Sequence, residues 1–196
     1  MKNTKTTYEP TDYVKLLGIN GLSDEMMKNH FSLYEGYVKN TNHLIEHLEK
    51  EEDEVVRSEL KRRFGWEFNG MRLHEYYFNN LTKGGKDHDH HSELHKQFEK
   101  SFGSHENWEK DFRAMCAMRG VGWVVLYYDR QADRLFNIWV NEHDTGHLTG
   151  CVPIIVCDYF EHAYMLDYGT KRAGYIETFF KNLDWREAEK RFKSSL

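Results

Sequence analysis

The apolar run Val152-Pro-Ile-Ile-Val156, preceded by Gly150 and followed by Asp158-Tyr-Phe-Glu-His-Ala-Tyr164, constrains this chain more than any other stretch. A run of that length bounded by glycine reads as a buried strand, and Glu161-His-Ala-Tyr-Met-Leu reads as the start of a helix. Asp158 then sits at the strand's end and His162 on the first helical turn. Four residues apart, a carboxylate and an imidazole meet at one point, which is how a protein offers ligands to a first-row metal such as iron or manganese. The pair alone is unspecific, because an aspartate N-cap followed by a helical histidine is an ordinary helix start.

More imidazoles come from upstream. Ser23-Asp-Glu-Met supplies an N-cap with acidic residues in the first turn, opening a long helix to about Leu48. His30, Tyr34, Tyr37, Val38, Thr41, Leu44 and Ile45 recur along it at three- and four-residue spacing and form one face. Glu49–Glu54 reads as a solvated turn, Val55 to Phe64 as a short helix that Gly65 breaks, and Phe68 to Leu81 as a further helix with His74 at the centre of its apolar face. An antiparallel arrangement places His74 opposite His30. Packing accounts for the aromatic residues of these faces, and each histidine taken singly also reads as an ordinary core residue.

Thr82-Lys-Gly-Gly-Lys86 is the clearest linker and divides residues 1–86 from residues 87–196. The following Asp87-His-Asp-His-His91, with His95, has the side chains for metal binding, but its acidic setting beside the linker reads as an exposed segment leading into a helix. Helices are expected at about 92–102 and 105–119. Gly122–Tyr128 and Leu135–Val140, separated by Asp129-Arg-Gln-Ala-Asp133, read as a β-hairpin, and Ile154–Cys157 as a third strand. Residues 170–193 read as helical with a break near Asn182-Leu-Asp184. The expected class is α+β: an N-terminal helical hairpin packed on a C-terminal α/β domain with a three-stranded antiparallel sheet, the metal lying between them.

Composition excludes several alternatives. No apolar run approaches the ~20 residues of a membrane span, and the polar residues 1–9, expected to be frayed, lack the apolar core of a signal peptide, so a cytoplasmic location is expected. Cys116, Cys151 and Cys157 lie in apolar contexts and read as reduced thiols. A net charge of −5 with both signs interspersed leaves no footprint for nucleic acid. Twelve histidines in 196 residues are the one compositional sign of metal.

Asp158-x-x-Glu161-His162-Ala163-Tyr164 resembles the D-x-W-E-H-A-Y signature of the iron/manganese superoxide dismutases, with Phe160 at the usual tryptophan. His30, His74, Ser101-Phe-Gly-Ser104, Gly120-Val-Gly-Trp123, Tyr175-Ile and Leu183-Asp-Trp185 follow in that family's order. The resemblance implies superoxide as substrate and one iron or manganese ion per subunit, held by His30, His74, Asp158 and His162. It further implies Trp123 and Tyr164 as an aromatic shell, Arg172 as an anion guide and a homodimer, with a tetramer as the alternative, in which Glu161 reaches the partner's metal ligand. The outer-sphere donor to metal-bound solvent falls on His143, with Glu142 competing, because the family's alternative glutamine position is Gly70. Where the family has a second histidine on the first helix and a tyrosine eight residues after the first ligand, this chain has Tyr34 and, at seven, Tyr37. The implied reading is a lost π-bulge: regular α-helix between His30 and Tyr37, and Tyr37 as the gateway phenol with Tyr34 as its rival. Met165 replaces the tyrosine that contacts the family's second histidine. These departures also leave open a metal-binding relative with little dismutase activity, serving a structural role or other metal-oxygen chemistry.

Overall fold

The computed structural model describes residues 7–196, so residues 1–6 of the expected frayed segment lie outside the described residues. Two long helices form the N-terminal part, α1 (Asp24–Lys50) and α2 (Glu54–Asn79). Ser23 caps α1 by accepting from the Met26 amide, and Asp53 caps α2 by accepting from Val55 and Val56. The buried face of α1 carries Met26, Met27, His30, Tyr34, Val38, Thr41 and Leu44 and packs on Met71, His74, Tyr77 and Phe78 of α2. Two expectations are corrected here. Helix α1 runs two residues past Leu48, and Gly65 does not break α2, which is one helix where two were expected. A mid-helix glycine costs only about 1 kcal/mol relative to alanine, which tertiary packing along the helix offsets.

The C-terminal part contains α3 (Glu93–Phe102) and α4 (His105–Cys116), then strands β1 (Gly122–Asp129), β2 (Arg134–Asn141) and β3 (Val152–Asp158). The sheet is antiparallel in the order β2-β1-β3, as expected, with β3 starting at Val152 rather than Ile154 because Val152 pairs with Tyr128 and Pro153 with Tyr127. Proline is tolerated there because β3 is an edge strand. Helix α4 ends at Cys116 rather than Arg119, and beyond its cap Ala117 the chain passes Gly120 (φ 153°), where a Cβ would come within 2.8 Å of the Trp139 ring.

After β3 the chain makes a 3₁₀ turn, Glu161–Ala163, and a short helix α5 (Met165–Tyr168). The continuous helix expected from Glu161 is therefore interrupted at Tyr164, whose φ of −146° lies outside helical space. Helices α6 (Arg172–Lys181) and α7 (Trp185–Ser195) close the fold with the expected break between them. The segment 82–86 is pinned to that break: Thr82 N–H donates to Asn182 O at 2.8 Å and Lys86 N–H to Leu183 O at 3.0 Å. Gly85 is required in this crossing, because a Cβ there would sit 2.5 Å from the Lys181 carbonyl oxygen and φ is +66°. Helix α2 is tied to the sheet by Asn80, whose Oδ1 accepts from the Val156 amide at 2.9 Å. This bond sets His74 of α2 against the end of β3. No helix among the described residues is long and apolar enough to cross a membrane.

Candidate metal centre

Asp158 is the last residue of β3 and fully buried. Its two carboxylate oxygens have separate tasks. Oδ1 accepts from the Phe160 amide at 2.8 Å, which bends the chain into the turn carrying His162. Oδ2 faces three imidazoles: His30 Nε2 at 3.1 Å, His162 Nε2 at 3.2 Å and His74 Nε2 at 3.6 Å. The three rings stand 4.8 to 5.5 Å apart, edge-on or stacked. Imidazoles from α1, α2 and the 3₁₀ turn thus converge on one oxygen of β3, and that turn, rather than an α-helix, aims His162 back at the strand.

These donors fit a transition metal. His74 donates from Nδ1 to the Gly70 carbonyl oxygen at 2.6 Å, so its Nε2 carries a lone pair, and that atom is buried with no hydrogen-bond partner. Burial pushes His74 well below the ordinary imidazole value, helped by the charge of His30, and burial likewise lowers His30. For Asp158, burial works to raise the carboxyl but is outweighed by His162 and His30, which hold it below the ordinary carboxylate range. Imidazole nitrogens around one ionised carboxylate suit iron or manganese. The four residues can hold one metal ion, and His162, 27% exposed at its side chain, is the one that solvent reaches.

A second layer encloses this group. Trp123 on β1 pairs across the sheet with Asp158, its ring 5.0 Å from His74. Its indole N–H donates to His143 Nδ1 at 3.1 Å, and His143 Nε2 lies 2.7 Å from the Tyr37 hydroxyl. Indole nitrogen only donates, so neutral His143 accepts at Nδ1 and donates from Nε2 to the Tyr37 oxygen, leaving the Tyr37 hydroxyl proton available. Phe160 lies between His143 and His162, stacked on both at 4.7 and 5.2 Å. It thereby walls the site where the resemblance calls for tryptophan. Between the two tyrosines of α1, which is continuous α-helix without a π-type turn, the assignments separate. Tyr37 faces His74 and His143, whereas the Tyr34 hydroxyl accepts from the Thr11 amide and donates to Glu75, both at 3.0 Å. Gly70 makes room for Tyr37, since a Cβ would come within 2.6 Å of its ring.

The loop after β2 presents His143 rather than Glu142 to this layer. His147 Nε2 donates to the His143 carbonyl oxygen at 2.9 Å and accepts from the Tyr127 hydroxyl at Nδ1 at 2.7 Å, and Trp66 stands edge-on to His143 at 4.9 Å. His147, Tyr127 and Trp66 escaped the sequence reading. The available signal was the four-residue spacing Trp66, Gly70, His74 on one helix face. Tyr175, which the sequence places in the closing helix and in the family's order without a role at the site, donates its hydroxyl to the Asp158 carbonyl oxygen at 2.7 Å. Arg172 does not join the group: it donates to the Met118 carbonyl oxygen at 3.2 Å and lies over the Tyr159 ring at 5.2 Å. Tyr164 is buried with its ring 5.6 Å from Tyr175. Glu161 is exposed, on the rim of a concavity shared with Met26, Asn29, His162, Met165 and Leu166.

These shifts predict an acid sensitivity for protein stripped of metal by chelation. Burial pushes His143 down to about 4, so between its unfolded pKa, about 6.5, and that value the unfolded chain binds the extra proton. The stability from keeping His143 neutral is complete above that unfolded value and is lost as pH falls, at about 1.4 kcal/mol per pH unit, with His30 and His74 steepening the loss. Asp158, lowered instead, adds its own loss only below about 3.9. Urea denaturation from pH 7 to 4.5 checks this, and a stability independent of pH over that range would contradict it.

The comparisons with known proteins agree with this chemistry. Residues 90–191 match the family described as iron/manganese superoxide dismutases, C-terminal domain. An iron superoxide dismutase of Aquifex pyrophilus is 35% identical, covering 96% of this chain and 92% of that protein. One from Cupriavidus metallidurans is 34% identical over 91% of this chain and 92% of its own length. A manganese superoxide dismutase of Haloarcula marismortui is 37% identical over 65% of this chain and 62% of its own.

Proposed function

The chain belongs to the iron/manganese superoxide dismutase family, and from that premise we propose that it converts superoxide to dioxygen and hydrogen peroxide, using one iron or manganese ion held by His30, His74, Asp158 and His162. The observation that carries the reading is the convergence of three imidazole nitrogens on Asp158 Oδ2, with His74 Nε2 buried and unpartnered. Held by these four residues, the ion would supply the one-electron redox chemistry that dismutation of superoxide requires.

The side chains around it orient, shield and handle protons. Trp123, Phe160 and Trp66 exclude bulk water from one side. His143, fixed by Trp123 and Tyr127 through His147, donates to Tyr37, whose own proton is then free for a small molecule at the mouth of the site. Burial, with the Asp158 charge second, raises Tyr37 to about 12, so the phenol remains a donor at neutral and moderately alkaline pH. Arg172 contributes a fixed positive charge that attracts an anion at long range. Purified protein loaded with iron or manganese is expected to accelerate superoxide decay in stopped-flow measurements. Stoichiometric metal without acceleration would reject the reading. Tyr37→Phe is expected to keep its metal but slow turnover roughly 10–100-fold, most at high pH where solvent protons are scarce; metal analysis with a pH series of rates checks it.

The same proposal includes a dimer whose twofold axis runs near Glu161, a division into residues 1–86 and 87–196 with the metal between them, and a cytoplasmic location. Support for the dimer comes from Met165 (40% exposed) and Leu166 (55% exposed) beside Glu161. A carboxylate there can fix the tautomer of the partner's ligand imidazole. Sedimentation equilibrium at micromolar concentration is expected to give a dimer, weakened together with metal retention in Glu161→Ala. A monomer with full metal and activity would contradict it.

A further inference from the structure

A second group of imidazoles gathers away from Asp158. His88, His90 and His95 each offer one ring nitrogen, and these nitrogens lie within 4.8 Å of one another. Ser92 caps α3 by accepting from the His95 amide, which puts His95 on the first turn of the helix and His88 and His90 in the loop before it. Asp89 closes that loop, its Oδ1 accepting from the His91 amide at 2.9 Å and its carbonyl oxygen from Ser92 at 3.1 Å. His88 Nε2 approaches His95 Nδ1 to 2.8 Å, and the His90 ring lies 5.2 Å from His88 and 5.1 Å from His95.

The exposed segment expected from the sequence is thus only partly so: His90 is exposed, but His88 is half-buried against the rings of His105 (4.4 Å, 18° from parallel) and Trp185 (4.5 Å), which also touch each other. His105 Nε2 is buried with no hydrogen-bond partner. Aromatic packing alone gives no reason to gather four imidazoles and leave a buried ring nitrogen unpaired. The surroundings favour a cation, with Glu99 3.7 Å from His95 and Asp87 and Asp89 flanking His88.

We propose that His88, His90 and His95 form a second metal site, for a borderline divalent cation of the zinc type, with His105 and Trp185 packed against His88 to hold its ring. Three imidazoles with a fourth position for solvent suit zinc in tetrahedral geometry. Nitrogens bound at about 2.0–2.1 Å stand roughly 3.3 Å apart, so His88 and His95 open by a few tenths of an ångström on binding. Zinc has no redox chemistry, and its role here is to tie the loop after the linker to α3 and to Trp185 of α7. The site is independent of the one at Asp158: Trp108, Phe112, Phe179 and Tyr77 stand in succession between His105 and His30.

The test uses protein already loaded with iron or manganese, titrated with Zn²⁺ and freed of unbound metal by gel filtration, with all three metals counted and the melting temperature recorded. One added zinc per chain is expected, with iron or manganese retained and the melting temperature raised. His90→Ala and His95→Ala are expected to lower zinc affinity by more than the about 10–100-fold that losing a supporting outer partner costs, without loss of iron or manganese. His90 is exposed, so its replacement leaves the core intact. The proposal is overturned if the wild-type chain takes up no added zinc, if both variants bind zinc as tightly as it does, or if zinc enters only by displacing iron or manganese.

Discussion

Asp158→Ala protein is expected to carry no iron or manganese and to leave superoxide decaying at its uncatalysed rate. Asp158 Oδ2 is the one atom toward which His30, His74 and His162 all turn, and it supplies the only carboxylate of the group. Without it the site offers three imidazoles and no negative charge to offset a cation, while the Phe160 amide loses the acceptor that bends the chain toward His162. Two of the four proposed ligands are therefore affected by one substitution. Because metal stabilises only the folded chain, losing an ion present at 100-fold its Kd costs about 2.7 kcal/mol. For a chain of 196 residues that is a fall in melting temperature of roughly 5–11 °C. Elemental analysis, stopped-flow decay and a thermal scan on the same preparation check all three. Variant protein retaining stoichiometric metal would remove Asp158 from the ligand set.

His143→Ala is expected to keep its metal and lose activity by roughly 10–100-fold, the usual cost of an outer partner. The side chain accepts from Trp123, donates to Tyr37 and is clamped between Phe160 and Trp66. Its removal frees Tyr37 and leaves a buried indole N–H unpaired. His143→Gln separates the proton role from the space-filling one, because an amide both accepts and donates, and it is expected to recover part of the lost rate. Gly70→Gln tests the same region from α2: its Cβ meets the Tyr37 ring, so it is expected to lower stability by about 1–3 kcal/mol, as overpacking does. Wild-type rates and pH profile in His143→Ala would end the assignment.

The parts of this molecule legible in its sequence are those where one local pattern dominates. The strand ending at Asp158, the faces carrying His30 and His74, the hairpin of β1 and β2 and the Ser23 cap all follow from period or cap chemistry. The apparent break at Gly65 failed because a glycine's cost is small beside the packing of a helix 26 residues long. The turn at Glu161 failed for the opposite reason: an aspartate hydrogen bond and the convergence of rings on Asp158 override helix propensity over a few residues. Tyr34 and Tyr37 share a face by spacing, and only tertiary partners, Glu75 for one and His143 for the other, tell them apart. The brace from Tyr127 through His147 to His143 spans residues with no common period and has no local signature.

The ligand set itself is tested most directly by anomalous scattering from crystals, measured on both sides of the iron and manganese absorption edges. One strong peak per chain is expected at one of those edges, enclosed by His30 Nε2, His74 Nε2, Asp158 Oδ2 and His162 Nε2. A peak centred elsewhere, or any of the four side chains turned away from it, would contradict this ligand set.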